Sequence, residues 1–168
     1  MKLPRILITA MRSGAGKTML TCGILKAMKM QEINPASFKC GPDYIDPMFH
    51  SRVLGIPTRN LDTYFTDADT TRMLFAQGQT GMTELALIEG VMGYYDGAGL
   101  ATEIGSTYEL ANVLEAPVVL IIDAAGMSLS AVAVLKGFLE YRELNRIKGV
   151  LFNRMSKQVY EEIRPEVE

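Results

Sequence analysis

Short apolar runs alternate with longer amphipathic stretches along this chain. Ile6-Leu7-Ile8, Pro35 to Cys40, Leu85 to Ile88, Pro117 to Asp123 and Lys148 to Phe152 are bounded by turn residues and read as strands. Between and beyond them, Met19 to Met28, Met48 to Leu54, the region near Asp67 to Gln77, Ser106 to Leu114 and Ser128 to Tyr141 read as helices. Gly55 and Pro57 stop the second of these, and Ser106 followed by Glu109 has the spacing of a capping box. Gly41 to Pro47 is rich in turn residues, Glu89 to Gly105 is a glycine-rich loop, and Asn60-Leu61-Asp62 is assigned no element. The tail from Lys157 has helical composition without a strong apolar face.

Near-continuously apolar strands separated by helices predict an α/β chain, a parallel sheet with helices on both faces. Ligands of such sheets bind beyond the carboxyl ends of the strands. The marked polar residues fall there. Lys17 and Thr18 follow the first predicted strand, Asp43 and Asp46 the second, Glu89 the third, Asp123 the fourth and Asn153 the fifth.

The first of these ends is the most informative. Arg12-Ser13-Gly14-Ala15-Gly16-Lys17-Thr18 stands between a strand and a helix, the context a phosphate-binding loop requires. Gly14 and Gly16 let backbone N–H groups approach phosphate oxygens, and the helix N-terminus faces the same anion. Lys17 would neutralise the β- and γ-phosphates, and Thr18 would offer its hydroxyl to Mg²⁺. The alternative is a glycine turn that only caps a helix. The usual first glycine of the pattern falls on Met11, so the loop resembles the deviant form of the dethiobiotin synthetase, MinD and ParA group. In that group a Lys often stands where Arg12 stands. Taking the first two strands as neighbours, Asp46 would lie across from the γ-phosphate.

Composition narrows the picture without changing it. The 168 residues suit one domain, and a hydrophobic content of 48% with 21% charged residues suits a soluble globular one. A net charge of −2 offers no broad basic surface, so no nucleic-acid partner is expected. The longest apolar run, Pro117 to Ile122, is too short to span a bilayer, and Met1 to Arg5 does not read as a signal peptide. Cys22 and Cys40 lack metal-ligand spacing and fit a reduced, cytoplasmic compartment as small buried hydrophobes. The Met residues read as core filling.

Three further acids are candidates. Glu89, at the end of an apolar strand, is placed like a carboxylate that serves nucleotide-bound Mg²⁺; the alternative is a solvated strand end. Asp43 and Asp46 could hold a metal, orient a water or take a proton, or could simply shape a turn. Asp96, in Tyr94-Tyr95-Asp96-Gly97, is equally open.

Longer stretches carry a resemblance. Lys39-Cys40-Gly41-Pro42-Asp43-Tyr44-Ile45-Asp46-Pro47, Glu89-Gly90-Val91-Met92-Gly93-Tyr94-Tyr95-Asp96-Gly97 and Gly149-Val150-Leu151-Phe152-Asn153-Arg154 together resemble the cobyrinic acid a,c-diamide synthase family. Asn60-Leu61-Asp62 and Pro117 to Asp123 fit too, and the match runs from about Ile6 to Arg154. The resemblance implies a P-loop NTPase fold of the dethiobiotin synthetase type. It implies ATP- and glutamine-dependent amidation of the a and c acetate side chains of a corrinoid through an acyl phosphate.

The resemblance also implies roles. Arg12, Ser13, Gly14, Ala15, Gly16, Lys17, Thr18, Asn153 and Arg154 would bind ATP, with Asn153 reading the adenine. Thr18, Glu89 and Asp43 would hold Mg²⁺, and Asp46 and Tyr44 would face the acid. Lys17, Asp43, Tyr44, Asp46 and Glu89 form the implied catalytic set. Ala10 replaces a glycine common in the family.

The family's glutaminase domain, with its Cys and His, has no counterpart here. The only histidine is His50, and neither cysteine lies in a nucleophile elbow. The expectation is an ATP-dependent synthetase domain spanning 1–168, with a glutaminase domain or free ammonia as nitrogen source. The expected partners are a corrinoid acid and, as an open option, a second copy in a homodimer. A nickel-sirohydrochlorin a,c-diamide synthase and a MinD- or ParA-like nucleotide switch are the alternatives.

Overall fold

A computed structural model describes residues 3–168. Met1 and Lys2, which open the stretch that does not read as a signal peptide, lie outside the described residues. Six parallel strands form one sheet: β1 (Arg5–Ala10), β2 (Pro35–Cys40), β3 (Thr58–Leu61), β4 (Leu85–Glu89), β5 (Val118–Asp123) and β6 (Ile147–Asn153). Their order is β3-β2-β4-β1-β5-β6. The helices are α1 (Lys17–Met30), α2 (Ile45–Val53), α3 (Ala68–Gln77), α4 (Thr107–Leu114), α5 (Leu129–Glu140) and α6 (Lys157–Ile163), and a 3-10 turn follows at Arg164–Glu166. No helix among the described residues is long and apolar enough to cross a membrane.

The period-two alternation of the strands explains why both faces are covered. Ile8, Ala10, Leu87 and Ile121 pack with Leu25 of α1 on one face. Leu7, Phe38, Ile88, Leu120 and Ile122 pack on the other with Phe75 of α3, Leu110 and Leu114 of α4, and Leu135 of α5. Each such buried Leu, Ile or Phe side chain contributes roughly 1.5–3 kcal/mol over its exposed state.

The structure departs from the expected elements at several places. A sixth strand, β3, pairs along the free edge of β2 from Ser37–Thr58 to Cys40–Leu61. Only Leu61 of its residues is buried, so this edge carries no apolar run. The first two strands are not neighbours: β4 lies between them, with Glu89 in register with both Ile8 and Lys39.

Helix α2 begins at Ile45 rather than Met48. Asp43 Oδ1 accepts from the N–H of Ile45 at 2.8 Å and of Asp46 at 3.4 Å, and Pro47 falls in the first turn, where no N–H is needed. Only half of the capping box forms. Ser106 Oγ accepts from Glu109 N at 3.1 Å, but the Glu109 carboxylate takes Gly105 N at 2.7 Å and the Thr63 hydroxyl at 2.6 Å. The tail does fold as α6, capped by Ser156 and anchored by buried Ile163.

Candidate active site

β1 delivers the chain into the loop Met11 to Gly16, and α1 starts at Lys17. Gly14 and Gly16 have φ of 74° and 102°, in the left-handed region open to glycine. Neighbouring strand ends strap this loop down. Asn153 Nδ2 donates to the Ala15 carbonyl at 2.8 Å, and the Arg154 guanidinium donates to the Gly14 carbonyl at 2.8 Å. Arg12 forms an ion pair with Asp123 at the end of β5, and Arg154 reaches the same carboxylate at 3.5 Å. A Cβ on Gly16 would stand 2.6 Å from Asn153 Nδ2. Gly16→Ala is expected to cost roughly 1–2 kcal/mol in backbone strain alone and to weaken nucleotide binding on the order of tenfold. Thermal melts and titration calorimetry check this, and an unchanged nucleotide affinity would refute it.

On the other flank, side chains from four elements converge. Lys39, at the end of β2, donates from Nζ to Asp46 Oδ2 at 2.7 Å and to Glu89 Oε1 at 2.9 Å, with Asp43 Oδ2 at 3.7 Å. Its side chain is 5% exposed. The Thr18 hydroxyl donates to Glu89 Oε1 at 2.7 Å and lies 3.3 Å from Asp46 Oδ2. Lys17 donates to the carbonyl of Met92, a residue with a left-handed φ of 46°.

The electrostatics follow from burial and pairing. Burial, then the nearby Lys39 ammonium, lowers the pKa of Lys17 despite the surrounding acids. Burial works against the charge on Lys39 as well, but Glu89 and Asp46 outweigh it and raise its pKa. Burial lifts Glu89 above the ordinary carboxylate value. Burial also opposes the charge on Asp46, yet the Lys39 hydrogen bond wins and holds its pKa down. Two ammonium groups, Lys17 and Lys39, thus lie close together beside a helix N-terminus, a setting that favours a polyphosphate.

The structure therefore brings Lys17, Thr18, Asp46 and Glu89 together and sets Arg12, Asn153 and Arg154 along the opposite side of the loop. Asp43 spends Oδ1 on capping α2. Asn60 at the edge donates to the Asp43 carbonyl at 2.7 Å, which fixes that turn. Tyr44 is 85% exposed. Asp96 accepts from Gly93 N at 3.0 Å, closing a turn of the loop after β4. A cavity of about 400 Å³ lined by Gly41, Pro42, Asp43, Tyr44, Ile45 and Val91 adjoins the acids. A separate one of about 560 Å³, lined by Lys29, Asn34, Pro35 and Gly78, lies at the opposite end of β2.

Sequence reasoning left Lys39 out of the site. It lies inside a strand, and nothing in its spacing reveals that β4 will set Glu89 beside it. The one available signal was a lysine within an otherwise buried strand. The donors near Thr18 are hydroxyl and carboxylate oxygens, the hard set that Mg²⁺ prefers. Among the described residues no group of three or more His, Cys, Asp or Glu could hold a metal unaided.

Comparison with known proteins bears on the family and the fold. The CbiA family model, the CobQ/CobB/MinD/ParA nucleotide-binding domain, matches residues 6–168. The chain belongs to this family. As a CobQ/CobB/MinD/ParA nucleotide-binding domain it resembles several curated proteins. It is 43% identical over 157 residues to cobyrinate a,c-diamide synthase of Limosilactobacillus reuteri (strain DSM 20016), covering 93% of this chain and 34% of that protein. It is 40% identical over 159 residues to hydrogenobyrinate a,c-diamide synthase of Streptomyces coelicolor, covering 95% and 32%. It is 41% identical over 170 residues to cobyrinate a,c-diamide synthase of Thermoplasma acidophilum, covering 100% and 38%. The chain thus spans about a third of the length of these curated relatives. A crystal structure of the signal recognition particle receptor FtsY from Elizabethkingia anophelis superposes with a TM-score of 0.58 at 16% identity, covering 89% of this chain and 49% of that one. That likeness establishes the P-loop fold of this CobQ/CobB/MinD/ParA domain and nothing finer.

Proposed function

We propose that this chain is the ATP-dependent synthetase part of an amidoligase that amidates the a and c acetate side chains of a corrinoid acid such as cobyrinate. The observation that carries the proposal is the Lys39 bridge. It joins Asp46, on the helix that borders the cavity, to Glu89, which also accepts from the Thr18 hydroxyl on the nucleotide side. A nucleotide switch has no need of acceptor-side acids tied into its phosphate site. The similarity to diamide synthases then supplies the acceptor class.

In this reading Gly14, Gly16, Lys17 and Thr18 hold the phosphates of ATP, and Asn153 and Arg154 flank its base. Thr18 and Glu89 would hold Mg²⁺, with Asp46 the nearer and Asp43 the farther further carboxylate. The cation would screen phosphate charge as the γ-phosphoryl group leaves ADP. Asp46 and Lys39 orient the acceptor carboxylate, and exposed Tyr44 borders its cavity. The carboxylate oxygen bonds the γ-phosphorus while the bond to ADP breaks. Lys17 and the loop N–H groups stabilise the charge that develops. Ammonia then attacks the acyl carbon. Its nitrogen gains the C–N bond, and the C–O bond to phosphate breaks. One ammonia proton leaves with the released phosphate, giving amide and hydrogen phosphate.

The test supplies the 168-residue chain with ATP, cobyrinic acid and a high concentration of ammonium. Amide product by mass spectrometry with equimolar ADP is expected, and glutamine in place of ammonium gives none. ATP hydrolysis without any amide would favour the nucleotide-switch reading. Product from sirohydrochlorin but not from cobyrinate would move the substrate to the nickel tetrapyrrole.

A further inference from the structure

Glu89 ends β4 at the centre of the site, and only half of its carboxylate is accounted for. Oε1 accepts from Thr18 at 2.7 Å and from Lys39 at 2.9 Å. Oε2 is buried and has no hydrogen-bond partner. Facing it at 3.9 Å is Nε2 of His50, which is also buried and without a partner. Both side chains are fully enclosed. The other ring nitrogen, Nδ1, lies 3.5 Å from the Ser37 hydroxyl.

Two neutral tautomers of His50 have opposite consequences. With the proton on Nδ1, Nε2 is an acceptor aimed at a carboxylate oxygen, and two buried acceptors face one another. With the proton on Nε2, the ring donates toward Glu89 and Nδ1 accepts from the Ser37 hydroxyl, so every polar atom has a partner type it can use. Leaving a buried polar atom unsatisfied costs roughly 1–3 kcal/mol, which favours the second arrangement. Less than about 1 Å of closure brings the pair to hydrogen-bond length.

We infer that His50 is a positioning residue for Glu89, donating from Nε2 to Oε2 and accepting from Ser37 at Nδ1. His50 belongs to α2, whose first turn carries Asp46. The imidazole therefore ties the acceptor-side helix to the carboxylate that faces the nucleotide. A shift of α2 as an acceptor docks would be felt at Glu89 without any direct contact between the ligands. Burial lowers the His50 pKa from its ordinary value, with Asp46 and Asp43 opposing and Lys39 assisting the shift.

The chain contains a single histidine, so the ¹⁵N spectrum of the imidazole reports on His50 alone. In the nucleotide-free chain at about pH 8, Nε2 is expected to carry the proton; an Nδ1–H ring would overturn the inference. Glu89→Gln keeps a carbonyl for Lys39 and turns its amide N–H toward the ring, so the tautomer is expected to reverse. An unchanged tautomer would count against the contact. This arm does not depend on the proposed function.

The second arm does depend on it, because it takes Glu89 to face a nucleotide-bound cation. Mn²⁺ is titrated in the presence of a non-hydrolysable ATP analogue and followed by paramagnetic resonance. His50→Leu is expected to weaken Mn²⁺ binding on the order of tenfold, the usual loss for a residue that orients a ligand. His50→Gln, which restores a donor, is expected to recover most of it. Equal affinities in all three proteins would overturn the inference. Failure of every protein to bind the analogue would instead overturn the proposed function and leave the tautomer result standing.

Discussion

Asp46→Asn is expected to lower ammonium-dependent amidation by at least about a hundredfold while ATP affinity stays within roughly tenfold. Asp46 Oδ2 sits 2.7 Å from Lys39 and 3.3 Å from Thr18, at the seam between the cavity and the nucleotide loop. In the proposed reading the phosphates are held chiefly by the loop backbone and Lys17, and Asp46 reaches that side only through the Thr18 hydroxyl. Asparagine keeps the size and an acceptor but loses the charge that aligns Lys39. What is lost is orientation of the acid and its phosphoryl group, interactions that strengthen in the transition state. ATP binding by calorimetry and turnover on the same preparation check this. Near-normal turnover would reduce Asp46 to a helix-start residue.

Lys39→Met is expected to be the most damaging change to stability. The ammonium is nearly enclosed and contacts two carboxylates from different elements. Removing one partner of a buried ionic cluster costs about 3–5 kcal/mol. The lower part of that range applies, because water reaches Asp46 more easily than Glu89. The loss depends on pH with a definite sign. Burial already raises the Glu89 pKa, and the Lys39 charge and hydrogen bond oppose that rise. Without Lys39 the folded-state pKa climbs further above the unfolded value. An acid of this kind favours the folded state at low pH, and that contribution disappears as pH rises through its folded pKa. The variant should therefore recover part of its deficit against the wild type between about pH 8 and pH 5. Melting curves of both proteins across that window test it, and a constant gap would mean that Glu89 is not carrying the unbalanced charge.

The sequence revealed the sheet, the helices and the phosphate loop because those rest on local signals. Runs such as Val118 to Asp123 are apolar whatever lies beside them, and Gly14, Gly16, Lys17 and Thr18 are consecutive or nearly so. What was not legible depends on partners distant in the chain. β3 hides because an edge strand has no second neighbour to impose apolar residues at Thr58, Arg59 and Asn60. Lys39 hides because its partners come from β4 and α2. The early start of α2 follows from Asp43 capping it, a role that a turn aspartate and a helix-starting aspartate share on paper. Asp46 lies 3.3 Å from Thr18, but the placement across from the γ-phosphate was argued from neighbouring strands, and β1 and β2 are separated by β4.

That separation has a consequence for how the protein comes into being. The nucleotide loop hangs from β1 and the acidic helix from β2, two strands that never touch. They become parts of one site only when β4 slots between them, bringing Glu89 to Thr18 across 71 positions of sequence and to Lys39 across 50. Closing such long loops is entropically costly and slow. A chain emerging during synthesis would hold the glycine loop well before it held a site: the link between its two flanks arrives with the insertion of β4, and the straps from Asp123, Asn153 and Arg154 only with β5 and β6. The central strand acts as the key of an arch: until it is seated, neither half can bear on the other.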